Sequence, residues 1–264
     1  MWSFIQRHER TVSSIAVVMA ALLLWELAVK LLAIRAFLLP PPSAIFAELW
    51  KSRVFFLTSS LFTLYSTALG FVGAVVLGLA MAIAIVYSTW LNRILYTLLV
   101  VLNSIPKVAL APVFVIWLGT GIEPKVAIAL MIAIFSIVID AVLGLRTVDP
   151  DMINLARAGR ATPMQILLRI RLPCALPSIF SGMKVGVSFA LVGAIVGEFV
   201  AGDQGLGSVI LQAQGMFNTT RAFAAILLLG VLGTLLFFLV ELAERRIIPW
   251  HVSQRGPAAD VPHA

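Results

Sequence analysis

The chain has almost none of the residues that build redox or metal sites. It contains a single cysteine, Cys174, and three histidines that lie near its two ends, at positions 8, 251 and 263. One cysteine cannot form an intrachain disulfide or a thiolate metal cluster. Histidines at the ends cannot form a relay or a haem site within the body of the chain. The sequence therefore predicts no disulfide, no metal site and no cofactor.

Charged residues are also scarce. They make up 12% of the 264 residues, whereas 61% are hydrophobic and the mean hydropathy is +1.05. Soluble domains have about 25% charged residues, so this composition excludes a soluble globule. A helix needs about 20 residues to span a bilayer, and six segments qualify. They are residues 12–33, 59–87, 94–118, 124–145, 177–200 and 222–243. We predict an all-α, polytopic transmembrane helical bundle that forms one domain over residues 1–264, with a disordered tail at residues 251–264.

Motifs for chemistry within the chain are absent. There is no Gly-rich phosphate loop of the Walker type, so the chain is not expected to bind ATP by itself. No set of Ser, His and Asp residues suits nucleophilic catalysis. No internal repeat is present, and repeats are typical of ion-driven secondary transporters. The chain is therefore predicted not to be an enzyme, and an ion-driven secondary transporter is kept as an alternative class.

The net charge of +7 is distributed as the positive-inside rule predicts. With both termini in the cytoplasm, eleven of the 19 Lys and Arg residues lie on the inner side and six lie outside. Lys107 and Lys184 lie within or beside spans. We therefore expect a protein in contact with the lipid bilayer and not with nucleic acid, with both termini cytoplasmic.

The inner charge is concentrated in a polar segment, the basic loop (residues 146–173). Asp149 followed by Pro150 predicts the start of a short helix, because aspartate caps helices and proline suits the first position. Gly159 is suited to end that helix. The loop holds Asp149 and Asp151 against five arginines: Arg146, Arg157, Arg160, Arg169 and Arg171.

A second short helix is predicted within the basic loop. Thr162, Pro163 and Gln165 provide a capping box with proline at the first position. The pair Leu172 and Pro173 is expected to stop this helix. Two capped helices in one loop indicate a rigid docking surface. The alternative is a topogenic anchor, for which basic charge suffices without caps.

The third span is interrupted by polar and helix-breaking residues at positions 103–107. Asn103, Pro106 and Lys107 lie within this interruption. Proline frees a carbonyl and bends a helix, which a membrane tolerates where neighbours or a cavity satisfy the backbone. The pattern indicates a segment that lines a transport pathway, and a structural kink is the alternative.

Glu198 is an acidic residue that lies within the fifth span, next to a glycine-rich loop. A charge in hydrocarbon costs at least about 2.5–3.5 kcal/mol, so its presence requires a reason. Glu198, together with Gly205, Leu206 and Gly207, is therefore predicted to form a gate or a structural anchor at the outer mouth of the pathway.

Three further expectations are local. Ser43, after three prolines, is expected to cap an amphipathic helix at residues 44–53 that lies on the outer membrane surface. Asp140 in the fourth span is expected to pair with Arg146. The second span is rich in small residues, which let transmembrane helices approach closely. Its glycines are Gly70, Gly73 and Gly78.

Four segments resemble the inner-membrane permeases of binding-protein-dependent ABC importers, and among them the nitrate/sulfonate/taurine family. They are LPPPSAI at residues 39–45, IPKVALAP at 105–112 leading to WLGTG at 117–121, the basic loop ending in LPCALP at 172–177, and GEF at 197–199 followed by GLG at 205–207. The resemblance covers residues 12–250. It implies a type I ABC importer permease-like fold in the bacterial inner membrane.

The basic loop resembles the family's EAA loop, with departures at its defining positions. In one register the family's Glu-Ala-Ala falls on Asn154, Leu155 and Ala156, and its glycine falls on Arg160. Only Ala156 matches in this register. A register shifted by one residue recovers Gly159 but loses that match.

The resemblance implies a machine of several subunits. Two copies of this chain would form the pathway as a homodimer, with two cytoplasmic ABC ATPase subunits below it and a periplasmic or lipid-anchored solute-binding protein outside. The basic loop, extended to about residues 146–175, would couple the permease to the ATPase. The residues implied in coupling are Asn154, Leu155, Ala156, Arg157, Gly159, Arg160, Leu172 and Pro173.

The resemblance implies a small solute of the nitrate, sulfonate or taurine type. Related permeases also move neutral heterocycles, such as pyrimidine precursors or riboflavin, and this is the alternative. Lys107 would favour an anion in the pathway, but a lysine near an interface also extends its amine to the membrane surface. The external binding protein does most of the selecting, so the sequence leaves the solute open.

Overall fold

The computed structural model describes residues 2–94, 101 and 105–250, with side chains from residue 16 onwards. Asn103 and the tail at residues 251–264 lie outside the described residues. Within the described ranges the chain is helical and has no strand. The helices whose two ends are described are α1 Trp2–Leu31, α2 Pro42–Lys51, α3 Arg53–Tyr87, α4 Ala111–Leu118, α5 Glu123–Arg146, α6 Pro150–Ala158, α7 Pro163–Ile166, α8 Leu172–Ala201, α9 Leu206–Gly215 and α10 Thr219–Ile247, and residues 89–94 are also helical. A 3₁₀ turn, Lys107–Leu110, precedes α4, and a π turn, Leu167–Arg171, joins α7 to α8.

Four helices of the described chain are long and apolar enough to cross a membrane. They are α3, α5, the helical run Pro163–Ala201 and α10. They match four of the six predicted spans and confirm the all-α, polytopic fold. The first predicted span falls on α1. The third falls partly outside the described residues, and its remaining part is the short apolar helix Lys107–Leu118.

Helix α5 is the central element of the bundle, with α3 and α8 packed against it. The glycines of α3 lie against α5, as predicted: a Cβ built on Gly70 would stand 2.5 Å from the Cβ of Ala129. Because Gly78 faces Ile137 and Val138, α3 and α5 run in the same direction. Helix α8 runs the opposite way, and α10 packs on α8 and α9. The bundle therefore has two ends, one at the basic loop and one at the turn that follows Glu198.

Helix α2 begins at Pro42, two residues earlier than expected, with Pro41 as its N-cap. The prediction that Ser43 caps this helix is therefore wrong. The Ser43 hydroxyl and N–H both donate to the carboxylate of Glu26 in α1, at 2.8 and 3.0 Å. The proline's fixed φ suits the first helical position, which leaves the serine free to bind another helix.

The Leu172-Pro173 pair does not stop a helix. Helix α7 continues through the π turn into α8, and Pro173 lies in the first turn of α8. A π turn inserts one extra residue into a helix, and such an insertion lets the backbone pass a residue without an N–H. The helix boundary expected at Leu172-Pro173 is therefore absent, and the basic loop continues as a helix into the span α8.

The break in the third span is confirmed at Pro106, whose backbone is extended with φ −65° and ψ 98°. The expected pair of Asp140 and Arg146 is wrong. The Arg146 guanidinium instead donates to the side-chain oxygen of Asn92 at 2.7 Å. Arg146 is the last residue of α5 and Asn92 lies in the helical stretch after α3, so this contact joins two helical segments at the basic-loop end that the sequence separates by 54 positions.

Candidate functional site

A cluster of polar groups surrounds Glu198 at the end of the bundle opposite the basic loop. The Glu198 cluster consists of Thr63, Glu198, Gly205, Leu206 and Gly207. The Glu198 carboxyl group is fully buried and accepts from the Thr63 hydroxyl and from the Gly207 N–H, each at 2.7 Å. The Thr63 hydroxyl in turn accepts from the Leu206 N–H at 2.9 Å. The cluster therefore satisfies two of the free N–H groups at the start of α9 and ties that helix to α3 and α8.

Gly205 and Gly207 leave the space that the Glu198 carboxyl group fills. A Cβ built on Gly205 would overlap Glu198 Oε1, and Gly205 also has a φ of +103°, which favours glycine. A Cβ on Gly207 would stand 2.9 Å from the Glu198 Cβ. The structure thus brings together Glu198, Gly205, Leu206 and Gly207, and it explains the spacing of the GLG sequence.

Pro106 and Lys107 are not part of this cluster. The Lys107 ammonium lies 4.4 Å from the centre of the Phe135 ring in α5. Phe135 belongs to an apolar cluster at the basic-loop end, with Ile85 and Leu145. Phe135 lies ten residues along α5 from Lys125, and Lys125 packs beside Gly197, the neighbour of Glu198. The Lys107 ammonium and the Glu198 cluster are therefore roughly 15 Å apart along the bundle.

Sequence reasoning missed two members of the Glu198 end. Thr63 is one hydroxyl among several in a long span, with no local signal of its role. Lys125 is expected from the sequence to be an ordinary outer cation, yet it is fully buried and its ammonium contacts Asp203 at 2.5 Å. Asp203 lies in the turn between α8 and α9, so this ion pair fixes that turn to the start of α5.

An open cavity of about 400 Å³ lies beside the Glu198 cluster. Its apolar walls include the rings of Phe55 and Phe62 and the side chain of Val209. The remaining walls are polar, and they come from the start of α3, the α8–α9 turn and α9. The polar lining residues are Thr58, Ser59, Asp203, Gln204, Ser208 and Gln212. A cavity of this size is in the range of small-molecule sites.

The two predicted helix starts of the basic loop are confirmed. The Asp149 carboxylate accepts from the Asp151 N–H at 2.8 Å, with Pro150 at the first helical position. The Thr162 hydroxyl accepts from the Gln165 N–H at 3.3 Å, and the Gln165 side chain accepts from the Thr162 N–H at 2.8 Å. Both caps depend on neighbours within three residues, which is why the sequence alone predicts them.

Helix α6 ends at Ala158 with Gly159 as its C-cap, as predicted, but Gly159 is not the left-handed residue. Gly159 has an ordinary φ of −76°, whereas Arg160 takes the left-handed conformation with a φ of +59°. The Ala161 N–H donates to the Ala156 carbonyl at 3.0 Å and the Arg160 N–H to the Arg157 carbonyl at 2.9 Å. These two bonds define a Schellman motif with Arg160 at the position that glycine normally takes. This is the position on which one register of the family resemblance places the glycine of the EAA loop.

Replacing Arg160 by glycine should therefore stabilise the basic loop. A non-glycine residue in the left-handed conformation costs roughly 1–2 kcal/mol, and glycine removes that cost. We expect Arg160→Gly to slow hydrogen–deuterium exchange of the α6 amides about fivefold, and Arg160→Val to accelerate it. Gly159→Ala is the matched control and should change little, because its Cβ would meet nothing closer than 3.4 Å. Faster exchange in Arg160→Gly than in the parent chain would contradict this account.

The basic loop presents apolar side chains as well as charge. Leu155 is 76% exposed and Met152, one turn earlier in α6, is 48% exposed. Asn154, Arg157 and Arg160 are exposed beside them. Leu172 and Pro173 are only half-buried within the helical run that enters the bundle, so these two predicted coupling residues do not belong to the exposed face of α6.

A tyrosine anchors the basic loop to the bundle. The Tyr87 hydroxyl at the end of α3 donates to the Pro163 carbonyl at 3.2 Å. The Arg171 guanidinium lies 5.5 Å from the centre of the Tyr87 ring. The loop is thus held at the end of α3 and continues covalently into α8.

These features define a polytopic membrane protein with a capped basic loop at one end and a buried polar cluster with a cavity at the other. Residues 74–249 match the family described as binding-protein-dependent transport system inner membrane component. The chain therefore belongs to this family, and it is a multi-pass permease subunit of the inner membrane rather than an enzyme.

Curated relatives extend the similarity over nearly the whole chain. The riboflavin transport system permease protein RibX of Chloroflexus aurantiacus is 33% identical over 94% of each chain. The formylaminopyrimidine transport permease protein ThiX of Halalkalibacterium halodurans is 30% identical over 88% of this chain and 93% of its own. The taurine transport system permease protein TauC of Escherichia coli is 26% identical over 90% of this chain and 89% of its own.

A solved structure of the MetNI methionine ABC transporter, in an inward-facing conformation, has the same fold. It matches with a TM-score of 0.66 at 22% identity, over 74% of this chain and 97% of that chain. This likeness confirms the predicted type I ABC importer permease-like fold.

Proposed function

We propose that this chain carries a small solute across the inner membrane as the permease of an ATP-driven importer. An external binding protein delivers the solute, two copies of the chain form the pathway, and separate cytoplasmic ATPase subunits supply the energy through the basic loop. Both termini and the basic loop then face the cytoplasm, and the Glu198 cluster faces outside. Family membership removes the alternative of an ion-driven secondary transporter.

The observation that carries this proposal is a single helical run of 39 residues, Pro163–Ala201. It measures about 58 Å at 1.5 Å per residue. One end begins at the capping box of the basic loop, and the other carries Glu198 and the turn that binds Lys125. Because a helix transmits displacement along its axis, movement of the basic loop reaches the Glu198 cluster without an intervening loop.

The mechanism requires two arrangements of the Glu198 cluster. ATP binding draws the two ATPase subunits together and displaces the docked basic loops, which moves each Pro163–Ala201 run. Glu198 and its partners Thr63 and Gly207 belong to α8, α3 and α9, so a shift of α8 alters all these contacts at once. ATP biases the equilibrium only by the difference in its affinity for the two states. We assign the Glu198 cluster, with the broken segment at Pro106 and Lys107, to the pathway and its outer gate.

The docking part of this proposal is tested at Leu155. We expect Leu155→Asp to lower the recovery of the ATPase about tenfold when the tagged permease is purified with it, because a carboxylate in an apolar contact is costly. Leu155→Met keeps an apolar side chain and is the matched control. The measurement is the ratio of ATPase to permease after affinity purification from co-expressing cells.

Folding is checked in the same experiment, since Leu155 is mostly exposed and its replacement should leave the elution volume of the permease unchanged. Equal ATPase recovery with Leu155→Asp and Leu155→Met would remove α6 from the docking surface.

The solute is proposed from two classes. The relatives named for sulfonates and taurine favour a nitrate-, sulfonate- or taurine-like solute. The relatives named for riboflavin and formylaminopyrimidine favour a neutral heterocycle. All are similar to this chain at 26–33% identity, so similarity alone does not separate the two classes.

A further inference from the structure

We infer that the cavity beside the Glu198 cluster accepts a neutral, planar solute and rejects a small anion. This inference rests on the proposed function and names the class of its solute. Three features of the cavity carry it: the charge of its lining, the state of the nearby helix N-terminus, and the placement of two cations beside it.

The described lining of the cavity contains one charged residue, and that residue is acidic. Asp203 is 49% exposed and is paired with the buried Lys125. The other polar lining groups are the amides of Gln204 and Gln212 and the hydroxyls of Thr58, Ser59 and Ser208. No lysine, arginine or histidine is among the lining residues that the structure describes. An anion that entered would therefore meet a carboxylate already paired with a cation, and no positively charged residue of the described lining.

The N-terminus of α9 borders the cavity and would ordinarily attract an anion. Free N–H groups and the helix dipole make a helix start an anion site. Here the Gly207 N–H is bound to the Glu198 carboxyl group and the Leu206 N–H to the Thr63 hydroxyl. The protein's own oxygen atoms therefore already bind two of the N–H groups that a sulfonate or nitrate would use.

Each of the two cations beside the cavity lies against an aromatic ring of the cavity wall. The Lys125 ammonium lies 4.7 Å from the centre of the Phe62 ring, and the Arg221 guanidinium lies 5.6 Å from the centre of the Phe55 ring. Each is also paired with an acid, Lys125 with Asp203 at 2.5 Å and Arg221 with Glu48 at 2.9 Å. Their charges are thus compensated locally, and the rings of Phe55 and Phe62 form the walls.

The groups of the cavity wall that a solute can contact are thus two aromatic rings and a set of neutral hydrogen-bonding groups. Aromatic rings bind planar ligands by offset stacking or edge contacts. Amides and hydroxyls both donate and accept, so they match the mixed donors and acceptors of a heterocycle. This combination favours a neutral heterocycle over an alkanesulfonate.

The test measures the binding of two probes, riboflavin and methanesulfonate, to the full-length permease purified with its ATPase, by equilibrium dialysis. We expect saturable binding of riboflavin and none of methanesulfonate. Phe62→Ala should weaken riboflavin binding about tenfold, the size expected when a stacking surface is lost. Phe238→Ala, an exposed ring on α10 that does not line the cavity, should leave it unchanged.

A second variant tests the charge argument by gain of binding. Gln212 is exposed on α9, so Gln212→Lys should fold normally and place a cation in the cavity. We expect this variant to acquire methanesulfonate binding that the parent lacks. Methanesulfonate binding by the parent chain, or saturable binding of neither probe, would overturn the inference. The proposed importer function stands or falls separately, on the recovery of the ATPase with Leu155→Asp and Leu155→Met.

Discussion

Replacing Gly193 by alanine should destabilise the protein by about 1–3 kcal/mol, the usual cost of adding a methyl group to a packed interior. A Cβ on Gly193 would stand 2.6 Å from the Cα and 2.9 Å from the N of Ala129. These are backbone atoms of α5, which cannot rotate away as a side chain would. Relief therefore requires α5 and α8 to separate, and these helices form the central contact of the bundle.

The effect should extend along the helix. A Cβ on Gly197 would stand 2.8 Å from the Cα of Lys125, and one on Gly186 would stand 2.9 Å from Ile137 Cγ1. Side-chain atoms at Ile137 can move, so Gly186→Ala should cost less than Gly193→Ala or Gly197→Ala. This order distinguishes a backbone clash from a general sensitivity of α8 to substitution.

Gly230 in α10 provides the matched control, because a Cβ added there would have no neighbour within 4 Å. Gly230→Ala should leave the free energy of unfolding unchanged or raise it by about 0.5–1 kcal/mol, since alanine is the better helix former. The measurement is denaturant unfolding in detergent micelles, followed by tryptophan fluorescence. Equal unfolding free energies for Gly193→Ala and Gly230→Ala would show that α5 and α8 pack less closely than these distances require.

The glycines of α8 show what sequence patterns do and do not predict. Gly182, Gly186, Gly193 and Gly197 form two pairs with four-residue spacing, the small-xxx-small pattern that brings transmembrane helices together. This pattern is visible in the sequence, yet close packing was predicted only for the glycines of the second span. Those glycines also face α5, so the prediction is right but incomplete.

Residues within three positions predict the helix starts of the basic loop well. They do not predict which residue is left-handed at a helix end. The caps at Asp149 and Thr162 depend on residues up to three positions away, and both are present. Helix α6 ends with Gly159 as its C-cap, as predicted, but the Schellman motif puts Arg160 rather than its neighbour Gly159 in the left-handed conformation. The same motif ends α9, with Phe217 at a φ of +53° and its own N–H bonded to the Gln214 carbonyl. Residue preferences therefore do not identify which residue takes the left-handed conformation at a helix end.

Side-chain partners distant in sequence are beyond prediction from a single chain. The sequence identifies Glu198 because a carboxyl group in a span is unusual, but nothing near it points to Thr63, which is 135 positions away. Asp140 in the fourth span is predicted to pair with Arg146 near the inner boundary, but Arg146 instead binds Asn92. The packing of the helices determines which of several similar polar groups become hydrogen-bond partners. A single sequence carries no signal of that pairing.

Replacing Lys184 by methionine should have the largest effect on stability, about 3–5 kcal/mol, which is the cost of leaving a buried charge without its partner. Lys184 in α8 forms an ion pair with Glu244 in α10, and Glu244 is 4% exposed. Buried apolar residues lie one helical turn away along the chain, Phe180 from Lys184 and Val240 from Glu244, and the Lys184 ammonium lies 5.9 Å from the centre of the Phe237 ring. In the variant, the Glu244 carboxyl group would be buried without its partner unless α10 detached from α8.

The double variant Lys184→Met/Glu244→Met distinguishes the loss of the whole ion pair from the loss of one partner. It removes both charges and leaves side chains of similar size. It should recover most of the lost stability, since replacing a whole buried pair by apolar residues is often neutral.

The control is the exposed pair one turn away in the same helix, in which Arg245 donates to Glu241 at 2.5 Å. Arg245→Met should cost only about 0.3–0.5 kcal/mol. Losses of the same size for Lys184→Met and Arg245→Met, in unfolding experiments in the same detergent, would mean that Glu244 reaches water and does not hold α10 against α8. A large loss of stability in Lys184→Met that the double variant reverses would establish that each charge is buried only because the other is present. The ion pair then fixes the position of α10 against α8.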